Sequence, residues 1–185
     1  ELVKIAAKNG IKAIFLEKPI SNSLSNSLQI IKICKKNKIK LLIDHQRRFD
    51  PFFINLKKFV NNKIGKIQTV NVIYGGGIVN TGTHIIDLLR YFFGEISSVN
   101  ASLSQNSSCN ISDPNVDGKI IFKNKIICFL HALDLSYYGF LEMQIFGTNS
   151  ILKINLKNNY IEHRLVSKKP SLAYKRLEIK NLNFK

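Results

Sequence analysis

The chain has 185 residues, 45% of them hydrophobic, enough to bury a substantial core and to make one domain with part of another. Lys and Arg number 28 against 12 Asp and Glu, for a net charge of +16, but the cations are dispersed among asparagine and isoleucine and no DNA- or RNA-binding motif accompanies them, so no nucleic-acid partner is expected. No apolar run reaches the roughly 18 residues of a membrane-spanning helix, so no membrane partner is expected either.

Leu2, Ile5 and Ala6 mark the end of a helix closed by Gly10, and Ile11 to Leu16 then reads as a buried parallel strand. Leu24, Leu28 and Ile31 recur at i, i+4, i+7 with Cys34 one turn further. That spacing predicts a helix capped by Ser21 or Ser23 and ending near Asn37, where Lys35 and Lys36 suit the helix dipole. Lys40 to Ile43 is the next strand. Residues 1–45 are therefore expected to be a βαβ unit, the remnant of a doubly wound, Rossmann-type domain.

Past Pro51, Phe52, Leu56 and Phe59 predict a helix stopped by Gly65. Val70, Val72 and Tyr74 alternate with Thr69, Asn71 and Ile73 as a strand does, and Ile85, Leu88, Leu89 and Phe92 give a helix closed by Gly94. Val99, Ala101 and Leu103 alternate with Ser98, Asn100 and Ser102; segments 116–123 and 126–134 read as a hairpin about Asn124. Leu141, Met143 and Ile145, a turn at Gly147 to Asn149, and Leu152, Ile154 and Leu156 make a further strand pair. Residues 46–185 are thus expected to form an α+β domain with a large, mostly antiparallel open sheet. Helices would cover one face and a second copy of the chain the other, giving a homo-oligomer, dimer or tetramer.

Cys34, Cys109 and Cys128 are odd in number and widely spaced, without a CxxC pair. They favour reduced thiols and a cytoplasmic location. His45, His131 and His163 show no metal-ligand spacing among themselves or with the cysteines, so no metal is expected.

The candidate chemistry rests on two side chains. Lys18 follows the first strand, at the carboxyl edge where open α/β sheets bind ligands; from there it can reach a nicotinamide and a substrate hydroxyl, unless it is a plain surface lysine. His84 lies in the first turn of a predicted helix, after Gly82 and Thr83. With an ordinary pKa of about 6.5 it can accept a proton at neutral pH, which suits a base that deprotonates an alcohol as hydride leaves its carbon. The alternative is a histidine that caps or packs the helix. Gly75, Gly76 and Gly77 follow a strand and precede a helix, but Asn80 stands where a phosphate loop needs a third glycine or alanine. They are expected to permit close backbone approach to substrate or nicotinamide.

Four motifs in order carry a specific resemblance: Glu17-Lys18-Pro19; Asp44-His45-Gln46-Arg47-Arg48-Phe49-Asp50-Pro51; the stretch GGGIVNTGTHIIDLLRYFFGE from Gly75 to Glu95; and Phe146-Gly147-Thr148-Asn149. Together they closely resemble the Gfo/Idh/MocA family of NAD(P)-dependent oxidoreductases, over nearly the whole chain and more weakly after about Asn155. The resemblance implies an N-terminal Rossmann domain and a C-terminal α/β domain carrying the substrate site and usually the oligomer contact. It also implies NAD or NADP as cofactor and a sugar, sugar nucleotide or polyol as the small-molecule substrate. A Gly-rich dinucleotide fingerprint would precede Glu17, where only Gly10 is present, and the only methionine is Met143. We therefore expect a chain lacking most of the Rossmann domain and inactive by itself, with Glu17, Lys18 and Pro19 as its remaining cofactor contacts.

In the resembling family the residue matching Lys18 hydrogen-bonds the reacting oxygen, and Lys18 and His84 are the expected catalytic pair, converging on one cleft. Most members have aspartate where this chain has Asn80, four residues before His84. The amide can bind a substrate hydroxyl but supplies no charge to favour imidazolium. Asp87, three residues beyond His84, is expected to orient the histidine or contact substrate, or else to cap the helix. Arg48 is a further candidate for substrate; Arg47 is assigned to an ion pair with Asp44 or Asp50. The rival to an enzyme is a binding or assembly module that keeps the same second domain without catalysis.

Overall fold

A computed structural model describes residues 1–106, 110, 112–169 and 175–182. Cys109 lies outside the described residues. The chain divides into two compact units, Glu1–Gln46 and Arg47–Lys185.

The first unit runs α1 (Leu2–Lys8), β1 (Ala13–Leu16), α2 (Leu24–Lys36), β2 (Lys40–Ile43). β1 and β2 pair in parallel, Ala13 opposite Lys40 through Leu16 opposite Ile43. Ser23 caps α2, its hydroxyl accepting from the Asn26 amide at 3.2 Å. Two corrections to the sequence reading concern which faces are buried. β1 is not a buried strand: Ile14 and Leu41 turn to a small core built on Val3, Cys34 and Ile39, while Phe15 and Leu42 on the opposite face are 66% and 48% exposed. The sheet has only two strands and the unit's helices cover one side of it. In α2 the stripe Leu24, Leu28, Ile31 points outward and is exposed, whereas Ile30, Ile33 and Cys34 face the core. Both sets recur at helical spacing, so periodicity alone could not choose between them; contact with α1 and the strands does.

A 3-10 turn, Gln46–Arg48, spans the boundary between the units, and α3 (Pro51–Lys63) follows in the second. α3 starts sharply because Asp50 accepts a hydrogen bond from the Phe52 amide at 2.8 Å and Pro51 occupies the first helical position. Then come β3 (Ile67–Tyr74), a π-helical turn (Gly77–Gly82), α4 (Thr83–Phe93), β4 (Ile96–Leu103), β5 (Val116–Phe122), β6 (Ile127–Ala132), β7 (Glu142–Gly147), β8 (Ser150–Asn155), β9 (Tyr160–Val166) and β10 (Leu177–Leu182). The sheet order is β10-β9-β8-β7-β3-β6-β5-β4, antiparallel throughout except for the parallel pair β3–β6. This is the expected mostly antiparallel open sheet, following a βαβ unit in the chain. β9 and β10 lie beyond the last strand that the sequence pattern indicated, because polar and charged residues interrupt their alternation.

One sheet face carries the core. Val70, Val72 and Tyr74 of β3, Ile120 and Phe122 of β5, Met143 and Ile145 of β7 and Leu152 and Ile154 of β8 pack with Phe53, Leu56 and Val60 of α3 and Ile85, Leu88 and Leu89 of α4. Tyr74 is wholly buried, yet its hydroxyl donates to the Val116 carbonyl at 2.8 Å and accepts from the Val116 amide at 3.1 Å. Burial pushes the Cys128 thiol up to about 12, leaving it a small apolar filler. On the same face of β4, however, Val99 and Leu103 are 60% and 73% exposed, so the apolar alternation that identified this strand belongs to an uncovered edge.

Candidate active site

The site forms where β3 ends. Gly75 to Gly77 leave the strand, the π-helical turn follows, and α4 begins with His84 in its first turn. Two residues of the loop between β4 and β5 hold this passage. The Asp113 carboxylate accepts from the Val79 and Asn80 amides at 2.7 and 2.9 Å, and Asn115 Oδ1 accepts from the Gly77 amide at 3.0 Å. Asn115 also donates through Nδ2 to the Leu133 carbonyl at 3.0 Å, tying the turn to the end of β6. These charge-assisted bonds to peptide donors fix Asn80 and, through a bond from Thr83 Oγ1 to the Asn80 carbonyl at 2.9 Å, the start of α4.

Gly75 and Gly77 are packed closely against the rest of the unit. A Cβ on Gly77, at φ +86°, would strike the Asp113 carboxylate, and one on Gly75 would strike the Leu133 carbonyl and the Leu135 side chain. Sequence reasoning missed both Asp113 and Asn115. Its one available cue was that Asp113 is the sole acidic residue of the loop from Ser104 to Asn115.

His84 and Asn80 line a common cleft of about 420 Å³ with Arg47, Gly75, Thr81, Leu135, Phe140, Leu141, Leu156 and Lys157. His84 is half-buried and Asn80 exposed. The two arginines exchange the roles expected of them. Arg48 is held in an ion pair with Asp87, its Nε 2.8 and 2.9 Å from the two carboxylate oxygens and its Nη2 3.3 Å from the Asp87 carbonyl. Arg48 and Asp87 thus clamp the 3-10 turn to α4. It is Arg47 that lines the cleft, half-buried, its guanidinium lowered from its ordinary value by burial, with Asp50 pulling the other way. Lys157, in the turn between β8 and β9, is the other residue that sequence reasoning missed.

In the first unit, Lys18 follows β1 and is half-buried, while Glu17 and Pro19 are exposed; the Lys18–Pro19 peptide bond is cis. This is the carboxyl edge of a parallel strand, where open α/β sheets bind ligands. Gly10 does not add a phosphate cradle: at φ +71° with nothing within 4 Å of a Cβ, it only ends α1.

A family model of the GFO/IDH/MocA C-terminal domain matches residues 67–153, which span the glycine passage, His84 and the central strands. Over this segment, a little under half of its length, the chain resembles the Gfo/Idh/MocA family. It is 28% identical to the uncharacterized oxidoreductase YrbE of Bacillus subtilis (strain 168), over 80% of this chain and 49% of that protein. It is 31% identical to the inositol 2-dehydrogenase of Rhizobium meliloti (strain 1021), over 51% of this chain and 33% of that one. In fold it superposes on levoglucosan dehydrogenase in complex with NADH and levoglucosan, with a TM-score of 0.77 and 21% identity, over 98% of this chain and 57% of that chain. The chain thus spans at most about half the length of the curated relatives it matches. No helix among the described residues is long and apolar enough to cross a membrane.

Proposed function

We propose that this chain handles substrate in an NAD(P)-dependent oxidoreductase that acts on a CH–OH group of a sugar-like molecule. The observation that carries the reading is His84 at the mouth of α4 in a cleft with Asn80, behind a turn whose peptide donors are already bound by Asp113. A half-buried imidazole there can take the hydroxyl proton of a polyol and return it in the reverse direction. The Asn80 amide donates to or accepts from a neighbouring hydroxyl and so selects which one meets the imidazole. Lys18 donates a hydrogen bond to the reacting oxygen and stabilises charge developing on it, with Glu17 and Pro19 shaping the cofactor edge beside it. A nicotinamide cofactor, when bound, supplies hydride exchange. The inositol and levoglucosan dehydrogenases among the relatives support a polyol-type substrate.

The test is nicotinamide absorbance, on the full-length polypeptide that carries these residues, with a panel of polyols, sugars and sugar nucleotides. Lys18→Ala and His84→Ala are each expected to lower kcat by about 100-fold or more, with NAD(P) affinity little changed. The double variant should lose less than the sum of the two losses, because both groups serve one proton transfer. Full turnover in both single variants rejects these roles.

The uncovered sheet face supports a homo-oligomer. Phe129, Tyr160 and Ile179 are 37%, 48% and 65% exposed there, beside the intermediate Phe146 and Ile151. Light scattering should report a dimer or larger at micromolar concentration, and Phe129→Glu with Ile179→Glu should shift it to monomer. A monomeric parent protein excludes the assembly.

A further inference from the structure

We propose that the substrate of this cleft carries an anionic group, carboxylate or phosphoryl oxygens, that Arg47 and Lys157 bind while its hydroxyl-bearing carbon lies against His84 and Asn80. The proposal rests on the oxidoreductase reading above and names its substrate class. Arg47 and Lys157 both line the cleft, and no aspartate or glutamate does. Several acids near the cleft bind elsewhere, among them Asp134 beside Leu135, whose Oδ1 accepts from the Ser136 amide at 2.8 Å. Asp87 pairs with Arg48 at 2.8 Å, Glu142 with Lys153 at 3.5 Å, and Asp113 binds the Val79 and Asn80 amides. Asp50 attracts Arg47, but its carboxylate also caps α3. Neither Arg47 nor Lys157 has a carboxylate within salt-bridge distance among the described residues.

Lys157 is exposed at the cleft rim, in the turn between β8 and β9. Its Nζ occupies the space that a Cβ on Gly139 would fill, so the glycine leaves room for the amine beside Phe140. Asn80 is consistent with this: a carboxylate there would cancel part of the charge, and the amide leaves the cleft cationic. A planar guanidinium takes two oxygens of one carboxylate or phosphoryl group, and the ammonium adds a third contact from the opposite strand turn. A neutral polyol would leave both cations without partners.

Binding to the purified protein, measured by calorimetry with glucose, glucuronate and glucose 6-phosphate as matched probes, tests this without requiring turnover. At low salt at least one anionic probe should bind about tenfold or more tightly than glucose, and added salt should erode that margin. The carboxylate and phosphoryl arms then tell which anion is preferred. Arg47→Ala and Lys157→Gln should each reduce the preference for the anionic probe over glucose several-fold, with unfolding midpoints measured alongside, and Arg47→Lys should retain part of it. Equal affinity for all three probes, no saturable binding of any, or full anion preference in both variants overturns the proposal. Anion-selective binding with no redox turnover would reject only the oxidoreductase reading; turnover of neutral polyols without anion preference would reject only this one.

Discussion

Gly77 has no room for a methyl group. Its φ of +86° is a region that residues with a Cβ avoid at a cost of about 1–2 kcal/mol, and the added carbon would also displace the Asp113 carboxylate from the amides it binds. Gly77→Ala should therefore destabilise the second unit by about 2–4 kcal/mol and, by freeing Asn80 and the start of α4, lower turnover as well. Asp113→Asn keeps the shape but replaces a charged acceptor, and should cost less. Urea unfolding of the three proteins checks the order; a Gly77→Ala protein as stable as the parent would show that the turn relaxes freely. Nothing in the sequence pairs residue 77 with residue 113. The glycines were legible as a place of close approach, but what approaches comes from another loop. The same limit applies to Arg47 and Arg48, adjacent residues whose different fates depend on Asp87 of α4 and on the cleft wall.

At the scale of elements, most helices and strands of the second unit could be read because their apolar periodicity coincides with the face they bury: Ile85, Leu88, Leu89 and Phe92 in α4, Val70, Val72 and Tyr74 in β3. Where an element is apolar on two sides, as α2 is, only its neighbours decide the face, and where it lies at an edge, as β4 does, apolar alternation persists without burial. β9 shows the opposite case, a strand whose inward position is polar. His163 sits on the core face opposite Leu152, edge-on to Phe59 at 5.1 Å, with neither ring nitrogen hydrogen-bonded. Burial lowers its pKa, and Lys180, its cross-strand neighbour, adds to the effect. Folding therefore favours neutral imidazole. Its contribution is complete above the unfolded value of about 6.5 and is lost as pH falls below that value toward the lower folded one, because the unfolded chain binds the proton first. The stability of the parent should decline more steeply through this window than that of His163→Leu, by urea midpoints at matched pH values. Parallel pH profiles would mean that His163 charges as readily in the folded protein as outside it.

At the scale of the molecule, the two units have very different means of resisting opening. The first closes on Val3, Cys34 and Ile39, with five partly buried neighbours and a two-stranded sheet bare on one face. Among its described residues the second joins eight strands to two amphipathic helices around a continuous core. Apolar burial of about 25 cal/mol per Å² must offset the conformational entropy of every ordered residue. A unit with three buried apolar side chains has little left after that subtraction. Amides of β1 and β2 should accordingly exchange with solvent at least about 100-fold faster than those of β3, β6 and β7, since local openings draw on local burial. Hydrogen exchange read by mass spectrometry resolves the two directly. If NAD(P) binds at the Lys18 edge as proposed, it should slow exchange in the first unit selectively, because a ligand stabilises the unit that holds it. Uniform protection across both units without cofactor would mean that they open together.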